Sequence, residues 1–83
     1  MKAVRASTSV EDYVKAIFKL TDRQGLCATT SSLAETIGVS PASASGMLRR
    51  LRELRLVKHE RYGDIELTTA GRELALNVLR RHR

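Results

Sequence analysis

The sequence predicts a mainly α fold with a small β-hairpin, and three observations carry that prediction. Helical spacing of apolar residues recurs in four separate stretches. Between the third and fourth the period shifts from 3.6 to 2. A short helix, a turn containing Gly38 and a second, well-capped helix fall in succession, the pattern of a helix-turn-helix. Together these give helix, helix, turn, helix, two-stranded hairpin, helix: a winged helix-turn-helix over residues 1–83.

The first helix is expected to open at Ser9. Ser9-Val10-Glu11-Asp12 reads as a capping box, in which the serine hydroxyl and the Asp12 carboxylate satisfy free backbone N–H groups. Val10, Tyr13, Val14, Ile17 and Leu20 follow on one face, and Gly25 stops the helix. Thr29-Thr30-Ser31-Ser32 is a run of N-cap candidates for the second helix. That helix carries Leu33, Ala34 and Ile37 inward and ends at Gly38, with Ala34 where the helices cross. Ser40-Pro41 restarts the chain, serine as cap and proline at the first helical position, where its missing N–H is harmless. The third helix is predicted from Pro41 to about Leu54, with Ala44, Met47 or Leu48, Leu51 and Leu54 buried. Leu56–Arg61 and Asp64–Thr68 then flank Tyr62-Gly63 as a hairpin. Thr68 caps a last helix, running to Arg83 with Leu74, Ala75, Val78 and Leu79 inward.

The chain has 83 residues, 15 Lys and Arg against 9 Asp and Glu, a net charge of +6 and a single cysteine. One domain is all that length supports. Cys27 alone excludes a disulfide framework and suits a reducing, cytoplasmic setting. It is expected to be a small packed thiol, and His59 a solvated residue on a polar strand. No apolar run approaches the roughly 20 residues that span a bilayer. Met1 to Ser9 has no apolar core of a secretory signal. No nucleophile–base pair, phosphate-cradling glycine loop or closed metal-ligand spacing is present, so an enzyme is not expected.

The positive charge is concentrated. Residues 49–61 hold Arg49, Arg50, Arg52, Arg55, Lys58 and Arg61 against only Glu53 and Glu60. This is either a solvated helix face or a polyanion footprint, since Lys and Arg on phosphates release condensed counterions. Its position after a helix-turn-helix favours the second. A helix N-terminus offers free N–H groups and partial positive charge to phosphate. The exposed positions of the third helix are expected to be Pro41, Ala42, Ser43, Ser45, Gly46, Arg49 and Arg50. Small residues let the helix sit deep in a major groove, Ser can exchange hydrogen bonds with base edges, and Ala or Pro can touch a thymine methyl. Arg49 and Arg50 can reach phosphates. Thr30 and Ser40, at the entries of the two helices, complete the candidate face. The face has no Asn or Gln, so specificity is expected from apolar, water-mediated or shape readout. Arg61 and Tyr62 at the hairpin tip either reach DNA as a wing or belong to a hairpin that only covers the core. The runner-up function is a winged-helix module for protein–protein contact without nucleic acid, which would require exposed apolar anchors.

Four segments carry a family resemblance: Ser9-x-Glu11-Asp12-Tyr13-x-x-x-Ile17-Phe18; Leu33-Ala34-Glu35-x-Ile37-Gly38-Val39-Ser40-Pro41-Ala42-Ser43; Leu67-Thr68-x-x-Gly71-Arg72-x-Leu74-Ala75; and Arg81-His82-Arg83. They resemble the diphtheria toxin repressor and manganese transport regulator family, from about Ser9 to Arg83. The resemblance implies a metal-dependent transcriptional repressor that uses Fe(II) or Mn(II) and binds a palindromic operator in double-stranded DNA as a homodimer. It also implies that Asp12 and His82 are metal ligands. Oxygen and imidazole donors suit these ions, which bind weakly and need several ligands. Lys15 departs from the pattern, since manganese-type members carry a Glu ligand there and an ammonium cannot coordinate. The family continues beyond the position of Arg83 into a dimerisation domain that supplies further ligands. The chain is therefore expected to be an excised N-terminal domain, with a natural short paralogue as the alternative, and to hold no metal tightly by itself.

Overall fold

Helix ends are built here from local hydrogen bonds that the sequence supplies one by one. The computed structural model describes residues 10–25, 27–59 and 64–81. In order these form α1 (Val10–Phe18), α2 (Thr30–Ile37), α3 (Pro41–Glu53), β1 (Val57–His59), β2 (Ile65–Leu67) and α4 (Thr69–Arg81). This is the predicted winged helix-turn-helix order.

α1 is the central element. Tyr13, Val14, Ala16, Ile17 and Phe18 are all buried on it, and it packs along α4 and against α2 and β2. Periodicity predicts that α-helix continues beyond Phe18 toward Gly25. Instead Lys19–Arg23 form a wider, π-type turn, closed by Gln24 N–H donating to the Lys19 carbonyl at 3.0 Å. Within it the Thr21 hydroxyl donates to the Ile17 carbonyl at 2.8 Å, a side-chain bond that competes with the backbone for that acceptor. The predicted cap at Ser9 lies outside the described residues.

Thr29 caps α2: its hydroxyl accepts from Ser32 N–H at 3.0 Å, and its own N–H donates to Ser32 Oγ at 2.9 Å. Gly38 ends α2 in the left-handed conformation, φ 88°, where glycine has no Cβ penalty. Both Gly38 N–H and Val39 N–H then return to the Ala34 carbonyl, at 2.8 and 3.0 Å.

α3 buries Ala44, Leu48 and Leu51, and Met47 is half-buried. Periodicity places Leu54 with them, but it is 48% exposed. The helix has already ended. Arg55 takes the left-handed conformation, φ 63°, and Leu56 N–H closes onto the Leu51 carbonyl at 2.9 Å. Leu56, not Leu54, thereby packs against the core. A non-glycine residue at positive φ persists only where its surroundings hold it. Here Thr68 does so, its hydroxyl donating to the Arg55 carbonyl at 2.7 Å and its N–H to the Leu56 carbonyl at 3.0 Å.

The hairpin is antiparallel, with Val57 opposite Leu67, Lys58 opposite Glu66 and His59 opposite Ile65. β2 is one residue shorter at each end than predicted and β1 starts one residue later; the expected end of the first strand at Arg61 and the turn at Tyr62-Gly63 lie outside the described residues. Ala28 adds a bridge on the other edge of β2, with Ile65 N–H donating to its carbonyl at 2.8 Å. This pairing buries Ala28 but leaves the adjacent Cys27 exposed, contrary to the packed thiol expected. The same Thr68 hydroxyl accepts from Gly71 N–H at 3.1 Å and so caps α4. Ala75 and Val78 are fully buried, and Leu74 and Leu79 pack against the core as expected.

Candidate nucleic-acid interface

The start of α3 is organised by Ser40. Its backbone is extended, φ −74° and ψ 154°, and its hydroxyl accepts from Ser43 N–H at 3.1 Å, the N-cap geometry that satisfies one free donor. Ser40 Oγ also donates to Ser43 Oγ at 3.1 Å. Ser43 Oγ thus accepts within the protein, while the residue itself is exposed. Pro41 occupies the first helical position.

All of Ser40, Pro41, Ala42, Ser43, Ser45, Gly46, Arg49 and Arg50 are exposed, whereas Ala44, Leu48 and Leu51 between them are buried. Helical spacing sorts the exposed residues into two neighbouring lines, Ala42–Ser45–Arg49 and Ser43–Gly46–Arg50. Each begins with small side chains and ends in a guanidinium. Among the described residues, a Cβ built on Gly46 meets nothing within 4 Å, so their packing does not require glycine there. Thr30 is the first residue of α2 and half-buried, so it stands at a helix entry rather than on the α3 face. Arg61, Tyr62 and His82 lie outside the described residues.

The basic residues divide by what they touch. Arg81 pairs with Glu11 at 2.8 Å, tying the end of α4 to α1. Arg72 pairs with Asp22 and lies 5.5 Å from the Phe18 ring centre, a cation–π distance. Lys58 faces Glu66 across the hairpin at 3.9 Å. Among the described residues, Arg49 and Arg50 have no carboxylate partner, so their charge projects into solvent from α3. Arg55 is also exposed and is absent from the site that the sequence predicts. The charge run of residues 49–61 contains it, but not the backbone reversal that sets its direction.

Asp12 is the other candidate site residue. It is half-buried in the first turn of α1 and lines a groove with Lys15, Ala16, Lys19, Thr36 and Ile37. One carboxylate with two ammonium groups is a poor donor set for a divalent cation. No group of three His, Cys, Asp or Glu side chains converges among the described residues. The described part of the chain therefore does not fit Fe(II) or Mn(II) at Asp12.

Residues 5–65 match the family described as iron dependent repressor, N-terminal DNA binding domain. Among solved structures, the manganese regulator SloR is 31% identical, with a TM-score of 0.81 over 93% of this chain and 35% of that one. Wild-type ZitR of Lactococcus lactis is 22% identical, TM-score 0.67, over 99% of this chain and 56% of that one. A point mutant of MepR from a multidrug-resistant S. aureus clinical isolate is 22% identical, TM-score 0.68, over 96% of this chain and 62% of that one. The last two show likeness of fold alone. The chain spans about a third of the length of the manganese regulator.

Proposed function

The chain belongs to the iron-dependent repressor family, matching its N-terminal DNA-binding domain over residues 5–65, and on that premise we propose that it binds double-stranded DNA sequence-specifically through α3. The observation that carries this reading is the face of α3. Seven exposed positions from Pro41 to Arg50 hold only small side chains and two guanidinium groups without a carboxylate partner among the described residues. None of the buried apolar residues of that helix interrupts the face.

The division of labour follows from the side chains. Pro41, Ala42, Ser45 and Gly46 let the helix approach the floor of a major groove. Ser43 offers its hydroxyl proton to a base or phosphate acceptor, having already accepted from Ser40. Arg49 and Arg50, one to two turns further on, meet the phosphates that flank the groove. Ser40 and Thr30, at helix entries, supply backbone contacts, and Arg61 and Tyr62 act as the wing. Residues 1–83 are read as one DNA-binding unit that works in a homodimer on a palindromic operator, with half-sites about one helical turn or a multiple apart. Its role as a cytoplasmic repressor is read from the family it belongs to. Metal control by Fe(II) or Mn(II) depends on donors beyond Asp12, with His82 the remaining candidate on this chain.

The competing use of such a fold, protein–protein contact, needs exposed apolar anchors on this face. The large hydrophobic residues exposed among the described residues are Leu54, at the far end of α3, and Leu76 on α4. Neither lies between Pro41 and Arg50.

The test is Ser43→Ala. Selection for operator fragments from a random duplex library, followed by fluorescence anisotropy on the selected and a scrambled duplex, gives the ratio of affinities. Loss of the Ser43 hydrogen bond is expected to lower that ratio by about five- to tenfold, the effect of about 1 kcal/mol. Equal loss on both duplexes would remove Ser43 from the reading surface.

A further inference from the structure

The groove between α1 and α2 disagrees with the metal dependence that the family's name carries, and its residues say what replaces it. Asp12, Lys15 and Lys19 lie one turn apart along the same side of α1 and its π-type extension, and Thr36 and Ile37 of α2 close the other wall. Asp12 at i and Lys15 at i+3 are neighbours on the helix surface, with Cβ atoms about 5–6 Å apart. The order is favourable, the acid toward the helix N-terminus and the cation toward its C-terminus.

We propose that Lys15 and Lys19 close the Asp12 groove to divalent cations, so that DNA binding by α3 in this chain proceeds without a metal ion at Asp12. The regulatory half of this inference rests on the DNA-binding reading above; the statement about the groove does not. The lysines supply in fixed, covalently tethered form the positive charge that a bound cation would bring to the carboxylate. A divalent ion would also be repelled by them. At about 6 Å in a water-like dielectric, one ammonium disfavours a divalent cation about tenfold, and two of them by roughly the square of that factor at low ionic strength.

The experiment is a Mn(II) titration of the ¹⁵N-labelled 83-residue chain, followed by paramagnetic broadening of backbone amide signals. The wild type is expected to show no saturable broadening centred on residues 12–19 up to about a hundredfold higher Mn(II) than Lys15→Glu requires. Lys15→Gln, which removes the charge without adding a donor, is expected to fall between them and keeps the test valid if Lys15→Glu fails to fold. Saturable broadening centred on Asp12 in the wild type would overturn the inference. So would a Lys15→Glu chain that folds, by its amide dispersion, yet stays as blank as the wild type. A second arm measures duplex affinity by anisotropy with Mn(II) and with EDTA. Equal affinities support metal-free binding, and binding only with Mn(II) refutes it. A chain that binds no duplex under either condition would refute the DNA-binding reading and, with it, the regulatory half, while the NMR arm still decides the groove.

Discussion

Gly46 separates what the fold wants from what the DNA face wants. It sits inside α3, where glycine costs about 1 kcal/mol relative to alanine. The described residues give no internal reason for it, since among them a Cβ there meets nothing within 4 Å. Gly46→Ala should therefore stabilise the free protein by about 0.5–1 kcal/mol. In a domain of this size that raises Tm by about 2–8 °C. Gly46→Leu should be nearly as stable, because leucine also favours helix and would stand in open solvent. DNA binding should move the other way. A leucine at the point where α3 meets the groove floor creates a steric mismatch of about 1–3 kcal/mol, a loss of roughly five- to 150-fold in affinity. Thermal melts followed by circular dichroism and duplex binding followed by anisotropy, on the same preparations, give both quantities. A Gly46→Leu variant that melts like the wild type and binds DNA equally well would refute the placement of this face in the groove. A large fall in Tm for Gly46→Ala would refute the open space around the residue.

Three other expectations follow from single contacts. Arg50→Ala should weaken binding to all duplexes alike and reduce the slope of log K against log salt by about 0.9, one phosphate contact; anisotropy across a salt series reads this, and an unchanged slope excludes Arg50 from the phosphates. Gly71→Ala should destabilise the fold by about 2–4 kcal/mol in urea denaturation, because the new Cβ would overlap the Leu56 carbonyl oxygen and lie 3.1 Å from Leu67 Cδ2, straining the junction that Thr68 holds, whereas a loss of less than about 0.5 kcal/mol would contradict that packing. Burial raises the Tyr13 phenol above its ordinary value of 10.0. The unfolded chain therefore sheds this proton first, and stability falls as pH climbs through 10 toward the folded-state value, with no loss at lower pH. Melts from pH 8 to 11 should show an alkaline decline that Tyr13→Phe reduces, and identical declines in both proteins would contradict the assignment.

The parts of the fold legible in the sequence are those whose cause is local. Ser40-Pro41 announces a helix start because capping and proline geometry need only three residues, and α3 begins there. Gly38 announces a helix end because only glycine takes φ 88° without penalty. The exposed face of α3 is legible position by position from its alternation of small and cationic residues with buried apolar ones. What escapes depends on partners distant in sequence. Leu54 reads as buried by periodicity, but α3 stops at Glu53 through an arginine in the left-handed conformation, stabilised by Thr68 thirteen residues later. Ala28 pairs with Ile65 as a single residue, too short to leave a strand pattern, and Cys27 is turned outward beside it. The π-type turn after Phe18 contains a threonine hydroxyl bonded to the backbone, indistinguishable in sequence from a solvated one. The candidate DNA face can be read because its residues lie within one helix. The Asp12 groove cannot, since Thr36 and Ile37 of α2 complete it.

The most direct test of the central claim is the affinity of the 83-residue chain for a random duplex across a salt series. With Arg49 and Arg50 each on a phosphate, log K should fall linearly with log salt at a slope of about −1.8 or steeper. Binding that persists with a slope near zero, or no binding at low salt, would contradict a phosphate-reading surface on α3 and turn the reading toward protein–protein contact.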